Sequence, residues 1–138
     1  LSSAASDVYK RQYRETEDLS WWRDLLRRVG DLGPRCPVLT GVPFGPDRLG
    51  VMALDPESGG IFQYHTPRVH DHFHGTGDIF SAACAGAMVR GKGLPDALRL
   101  AADFTLACIQ ATQRDPNAPW YGVEFEKALH LLPGLLER

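Results

Sequence analysis

The chain has 138 residues, 43% hydrophobic and 23% charged, with a formal net charge of −2. That bounds it to at most one globular domain with room for a real core. A near-neutral balance with scattered Lys and Arg argues against a nucleic-acid surface or a polybasic membrane patch. Cys36, Cys84 and Cys108 lie far apart. Such spacing suits neither a disulfide framework nor a metal pair, and fits a reducing cytoplasm. The longest apolar run, residues 79–89, is about half of what a bilayer span requires.

Residues 1–12 are small, polar and without a period. They read as a non-native linker joined to the chain, with a native disordered tail as the alternative. Residues 13–138 carry the pattern of a folded domain. A helix is predicted over 16–29, where Trp22, Leu25, Leu26 and Val29 recur at helical spacing, Thr16 caps the start, and Gly30 or Gly33 ends it. Trp21 and Trp22 read as packing residues. Residues 36–42 form an apolar, uncharged strand of the kind found inside a parallel sheet. Residues 49–54 and 60–65 then read as a hairpin turning through Asp55-Pro56-Glu57-Ser58-Gly59-Gly60. After a loop over 66–74, the almost wholly apolar stretch 77–89 predicts a buried helix ended by Gly91 and Gly93. Pro95 opens the next helix, with Leu98, Ala101, Phe104, Thr105, Cys108 and Ile109 on one face. Residues 114–119 are a loop. A last helix is predicted over 123–132, broken by Pro133-Gly134. Strand, hairpin and stacked helices suit an α/β layered fold.

The most informative stretch is His74-Gly75-Thr76-Gly77-Asp78-Ile79-Phe80. Glycines admit close approach of the backbone to a ligand. The first N–H groups of a helix lack internal partners, and the helix dipole adds positive potential there. A phosphoryl group can rest on such groups, donated here by Gly75, Thr76 and Gly77. Asp78, in the first turn, can then take a proton from an alcohol. The bland reading of the same residues is Thr76 as an ordinary N-cap and Asp78 as an ordinary first-turn acid. His70, His72 and His74 alternate, as zinc ligands in an extended segment do. Loop histidines are more often simply solvated, so no metal site is assigned to them. Asp103-Phe104-Thr105 reads as core, Trp120-Tyr121-Gly122 as a packed tail, and Glu124 and Glu126 as surface charges.

The segment from Phe73 to Ala82 resembles the signature of the ribokinase-like superfamily, in its pyridoxal/pyridoxamine (vitamin B6) kinase branch. Val38-Leu39-Thr40-Gly41-Val42 resembles the strand leading to that branch's nucleotide site. Trp120-Tyr121-Gly122-Val123-Glu124-Phe125-Glu126-Lys127 resembles the tail of bacterial pyridoxamine kinases. The resemblance runs from about Tyr13 to the C-terminus. It implies the C-terminal portion of a three-layer α/β/α domain, with the family's upstream vitamin pocket and its asparagine-x-x-glutamate element not visible in this sequence. It further implies ATP-dependent phosphorylation of the hydroxymethyl group of pyridoxal, pyridoxamine or pyridoxine. In that scheme Asp78 is the catalytic base beside the bound substrate, Gly75, Thr76 and Gly77 form the anion hole, and Thr40 and Gly41 contact ATP phosphates. Magnesium bridges those phosphates, and the full-length protein is a cytoplasmic homodimer. The alternatives are a hydroxymethylpyrimidine or sugar kinase of the same superfamily, and a non-catalytic nucleotide-binding remnant. On its own this chain is expected to have little or no activity.

Overall fold

The computed structural model describes residues 18–138; the readings of residues 1–12 and of Thr16 as a cap fall outside them. The described residues divide into two compact units, 18–68 and Val69–Arg138.

The first unit opens with helix α1, Leu19–Asp31. Asp18 caps it by accepting the Ser20 backbone N–H at 2.8 Å; the Ser20 side chain first, and then this N–H, hold the Asp18 carboxyl below its usual range. One stripe of the helix, Trp22, Leu25, Leu26 and Val29, is buried, as its spacing predicts. The opposite face carries exposed charges such as the Asp24–Arg28 pair at 3.8 Å. Trp22 meets Trp21 edge to face at 5.1 Å.

Strands β1 (Val38–Pro43), β2 (Arg48–Leu54) and β3 (Ile61–Pro67) follow, in the order β1-β2-β3. Both pairings are antiparallel, which corrects the expectation of a parallel neighbourhood for β1 among the described residues. The links between these strands are too short for the crossover that parallel pairing needs, which takes about a dozen residues or more. An apolar run without charge reports burial, not strand direction. The predicted hairpin turn forms at Asp55, whose carboxylate accepts the Glu57 N–H at 3.1 Å and the Ser58 hydroxyl at 2.5 Å. Those bonds, the Ser58 one foremost, hold its carboxyl below the ordinary value. Leu39, Val42 and Met52 of the sheet pack with the α1 stripe to form this unit's core.

The register of β1 on β2 slips between Thr40 and Val42, at a bulge where Gly41 adopts φ +72°. Gly50 stands opposite, paired with Val42 on one side and His65 on the other. A Cβ on Gly50 would lie 2.1 Å from the Tyr64 carbonyl oxygen and 2.7 Å from the His65 Cα. Both are backbone atoms of the neighbouring strand and cannot swing away. Gly50→Ala is therefore expected to destabilise the protein by about 3 kcal/mol, the upper part of the overpacking range. Equilibrium urea unfolding measures this, and an unchanged midpoint would contradict it.

The second unit contains α2 (Thr76–Val89), α3 (Leu94–Gln113), a 3-10 helix (Phe125–Leu131) and α4 (Leu132–Glu137). Gly91, at φ +88°, ends α2: its N–H bonds to the Met88 carbonyl at 2.9 Å and that of Lys92 to the Ala87 carbonyl at 3.0 Å. This is the glycine-terminated closure that satisfies the last carbonyls of a helix. Pro95 sits in the first turn of α3, where its missing N–H costs nothing. The buried stripe of α3 runs through Leu98, Ala101, Phe104 and Cys108, as predicted, and extends to Thr112.

Two expectations are corrected here. Helix α2 is almost wholly apolar beyond its first turn, yet Ala87 is its only buried residue, and Val89 is 87% exposed. Its packed side meets α3 and α4 through Ala83, Cys84 and Ala87. A helix with so few polar residues calls for partners on several sides, and the described residues cover one. Nor does Pro133-Gly134 break a helix over 123–132. That segment holds the 3-10 helix, and Pro133 lies in the first turn of α4, which runs on through Gly134. Proline without an N–H suits the start of a helix as well as its end. Among the described residues, no helix is long and apolar enough to cross a membrane.

Candidate active site

The start of α2 is opened by glycine. Gly75 is the N-cap residue, at φ +85°, and no side chain caps the helix. This removes the bland reading of Thr76 as an N-cap; Thr76 is the first residue within the helix. The first intrahelical bond runs from the Ile79 N–H to the Gly75 carbonyl at 3.0 Å. The N–H groups of Gly75, Thr76, Gly77 and Asp78 thus precede the helical ladder, in a row at its positive end. Sequence reasoning named the first three and missed that of Asp78. A Cβ on Gly77 would meet nothing within 4 Å. The fold does not need glycine at this position, so space beside these donors is left for a ligand.

Asp78 is exposed, at the third helical position. It edges an apolar groove of about 520 Å³ that continues along Ile79, Ala82, Ala83 and Gly86 toward Arg90. Among the described residues, Asp78 is the one acidic group lining the groove and Arg90 the one basic group. A carboxylate beside a row of N–H donors is equipped to accept a proton while the donors hold an anion.

A strap passes close to the loop. A Cβ on Gly75 would stand 3.9 Å from the Val123 Cγ2, and one on Gly122 would stand 4.0 Å from the His74 carbonyl oxygen. Just beyond the strap, the Glu124 N–H donates to the Thr112 hydroxyl at 2.9 Å. The Lys127 ammonium bonds to Asp115 and, at 2.9 Å, to Glu124. The Lys127 bond, together with the Asn117 N–H, holds the Asp115 carboxyl below its usual range, and Asp115 and then Glu124 raise Lys127. Glu124 is therefore part of a clasp, correcting its reading as a plain surface charge. Trp120 and Tyr121 are 88% and 67% exposed, correcting the expectation of a packed tail. Their rings meet each other edge to face at 5.9 Å. The clasp escaped sequence reasoning, although Glu124 and Lys127, three residues apart, are a visible pairing signal.

Thr40 and Gly41 belong to the first unit. Thr40 is exposed and Gly41 is the residue of the bulge, so both lie within β1 and not in a loop beyond it. His70, His72 and His74 are exposed. Among the described residues, no group of three or more His, Cys, Asp or Glu side chains is gathered to hold a metal ion. Burial pushes the Cys108 thiol up to about 11 and also raises that of Cys36. Both are poor nucleophiles at neutral pH. Phe104 packs with Cys108 and Ala128, as the core reading of 103–105 expects.

No curated protein matches the chain. It is similar to a solved protein of Bacteroides thetaiotaomicron assigned as a phosphomethylpyrimidine kinase, with 30% identity and a TM-score of 0.79 over 88% of this chain and 42% of that one. An orthorhombic form of the same protein, crystallised with pyridoxal, aligns over 43% of its length with a TM-score of 0.78. Pyridoxal kinase from Lactobacillus plantarum aligns with 28% identity and a TM-score of 0.69, over 91% of this chain and 43% of that one. The chain thus spans less than half the length of these solved relatives. Its mixed α/β architecture matches the pyridoxal kinase-like, ribokinase-like fold. The profile of the phosphomethylpyrimidine kinase family matches residues 13–119, and the chain belongs to that kinase family.

Proposed function

We propose that the enzyme containing this chain transfers the γ-phosphoryl of ATP to the hydroxymethyl group of a B6 vitamer: pyridoxal, pyridoxamine or pyridoxine. The observation that carries the reading is the uncapped, glycine-opened start of α2 with Asp78 in its first turn. In this scheme the N–H groups of Gly75, Thr76 and Gly77 hold the transferring phosphoryl as its charge spreads. Donors preset in that way are worth about 3 kcal/mol each. Asp78 takes the proton of the attacking hydroxyl, a weak nucleophile until it begins to lose that proton. Thr40 and Gly41 lie along the ATP phosphates. When bound with ATP, magnesium would neutralise charge between the phosphates. The chain's own part is positioning, donation of hydrogen bonds and acceptance of one proton.

Hydroxymethylpyrimidine is the second reading, and the family matched by residues 13–119 favours it as much as the pyridoxal-bound neighbour favours the first. Both alcohols sit on flat heteroaromatic rings, so the anion loop serves either. The test is ATP-dependent phosphorylation by the complete enzyme, assayed side by side on pyridoxamine, pyridoxal, pyridoxine and hydroxymethylpyrimidine. The highest kcat/KM on a B6 vitamer is expected. Preference for the pyrimidine would keep the mechanism and change the substrate, and silence on all four would bring forward a non-catalytic nucleotide-binding role. A homodimer, as in the resemblance, is proposed for the complete enzyme; sedimentation as a monomer would refute it.

A further inference from the structure

We propose that Thr112 is a positioning residue for the anion loop, acting through the strap that backs Gly75. The proposal rests on the phosphotransfer reading above. Thr112 is a polar residue 3% exposed, in the last turn of α3. Its hydroxyl is used in both directions: it donates to the Cys108 carbonyl at 2.8 Å and accepts the Glu124 N–H at 2.9 Å. The first bond fixes the hydroxyl on α3. The second ties a residue twelve positions away to the same helix. Lys127, bonded to both Asp115 and Glu124, closes the clasp from outside. The residues next to this tie are Gly122 and Val123, which run beside His74 and Gly75 with room for about one methyl group between them. Gly75 sets the direction of the helix start with its left-handed φ of +85°. A strap that shifts outward takes the back wall from that turn, and the donor row loses its fixed aim. Misplacement of about 1 Å is enough to cost on the order of a hundredfold in rate.

The experiment compares Thr112→Val and Thr112→Ser in the complete enzyme. Valine keeps the shape but leaves the Glu124 N–H without its acceptor, and serine restores the hydroxyl. Expected for Thr112→Val is a kcat at least tenfold lower, with the KM for the alcohol unchanged, at a temperature where circular dichroism shows it folded. Thr112→Ser should return kcat to within about threefold of wild type, as retention of the same hydroxyl dictates. If Thr112→Val does not fold, Lys127→Met at the exposed side of the clasp takes its place, with kcat lowered and the melting temperature unchanged. Wild-type kcat in a folded Thr112→Val enzyme, or in Lys127→Met where that stands in, would overturn the proposal while leaving the phosphotransfer reading intact. A wild-type enzyme inactive on every alcohol would overturn the reading and the proposal together.

Discussion

Asp78→Asn in the complete enzyme is expected to lower kcat by about 10²- to 10⁴-fold, the contribution typical of a positioned general base. Asparagine has nearly the shape of aspartate but cannot accept the proton. The fold should survive, because Asp78 is exposed and caps nothing. Its loss removes at most the interaction of a first-turn carboxylate with the helix dipole, about 0.3–1 kcal/mol. Nucleotide affinity should be kept, since the backbone N–H groups remain. Isothermal titration with a non-hydrolysable ATP analogue, beside steady-state turnover, separates the two effects. Turnover near wild type would remove Asp78 from the chemistry.

Gly77→Val should give an enzyme that is folded and almost inactive. The site for the new side chain is open, with no atom within 4 Å of its Cβ. The backbone there is helical, where valine costs no more than glycine. The melting temperature should therefore stay within a degree or two of wild type, as surface substitutions of this kind do. The open space is what the phosphoryl group needs, and the valine methyls fill it. Loss of one preset donor alone costs about 10²- to 10³-fold in kcat. Retained activity would show that the phosphoryl passes elsewhere. The contrast with Gly50 is instructive. There the neighbouring backbone itself demands glycine, so substitution strikes stability. At Gly77 the fold makes no such demand, and substitution strikes only what the loop binds.

Local signals in the sequence carried part of this structure. The α1 stripe of Trp22, Leu25, Leu26 and Val29, the Asp55 turn and the stripe of α3 all follow from spacing and turn chemistry. The helix start at Gly75–Asp78 was legible because glycine and a first-turn acid mark it. Features set by distant partners were hidden. The direction of β1 depends on β2, and the bulge at Gly41 on the pairing of its neighbours Thr40 and Val42 with Val51 and Gly50. Apolar composition told that α2 seeks partners, not which residues supply them, and most of its surface stands exposed. Thr112 looks like any helical threonine until the Glu124 N–H arrives from across the loop. The 3-10 segment before α4 was read as regular helix because both geometries place apolar residues at similar intervals.

In the proposed reaction a phosphoryl group sits on the N–H groups at the start of α2. A crystal structure of the complete enzyme with ADP and aluminium fluoride, a mimic of the group in transfer, tests it most directly. The fluoride ligands are expected within hydrogen-bond distance of the N–H groups of Gly75, Thr76 and Gly77, with the Asp78 carboxylate facing the position of the attacking hydroxyl. A mimic bound away from this loop, with these N–H groups turned to water, would contradict it.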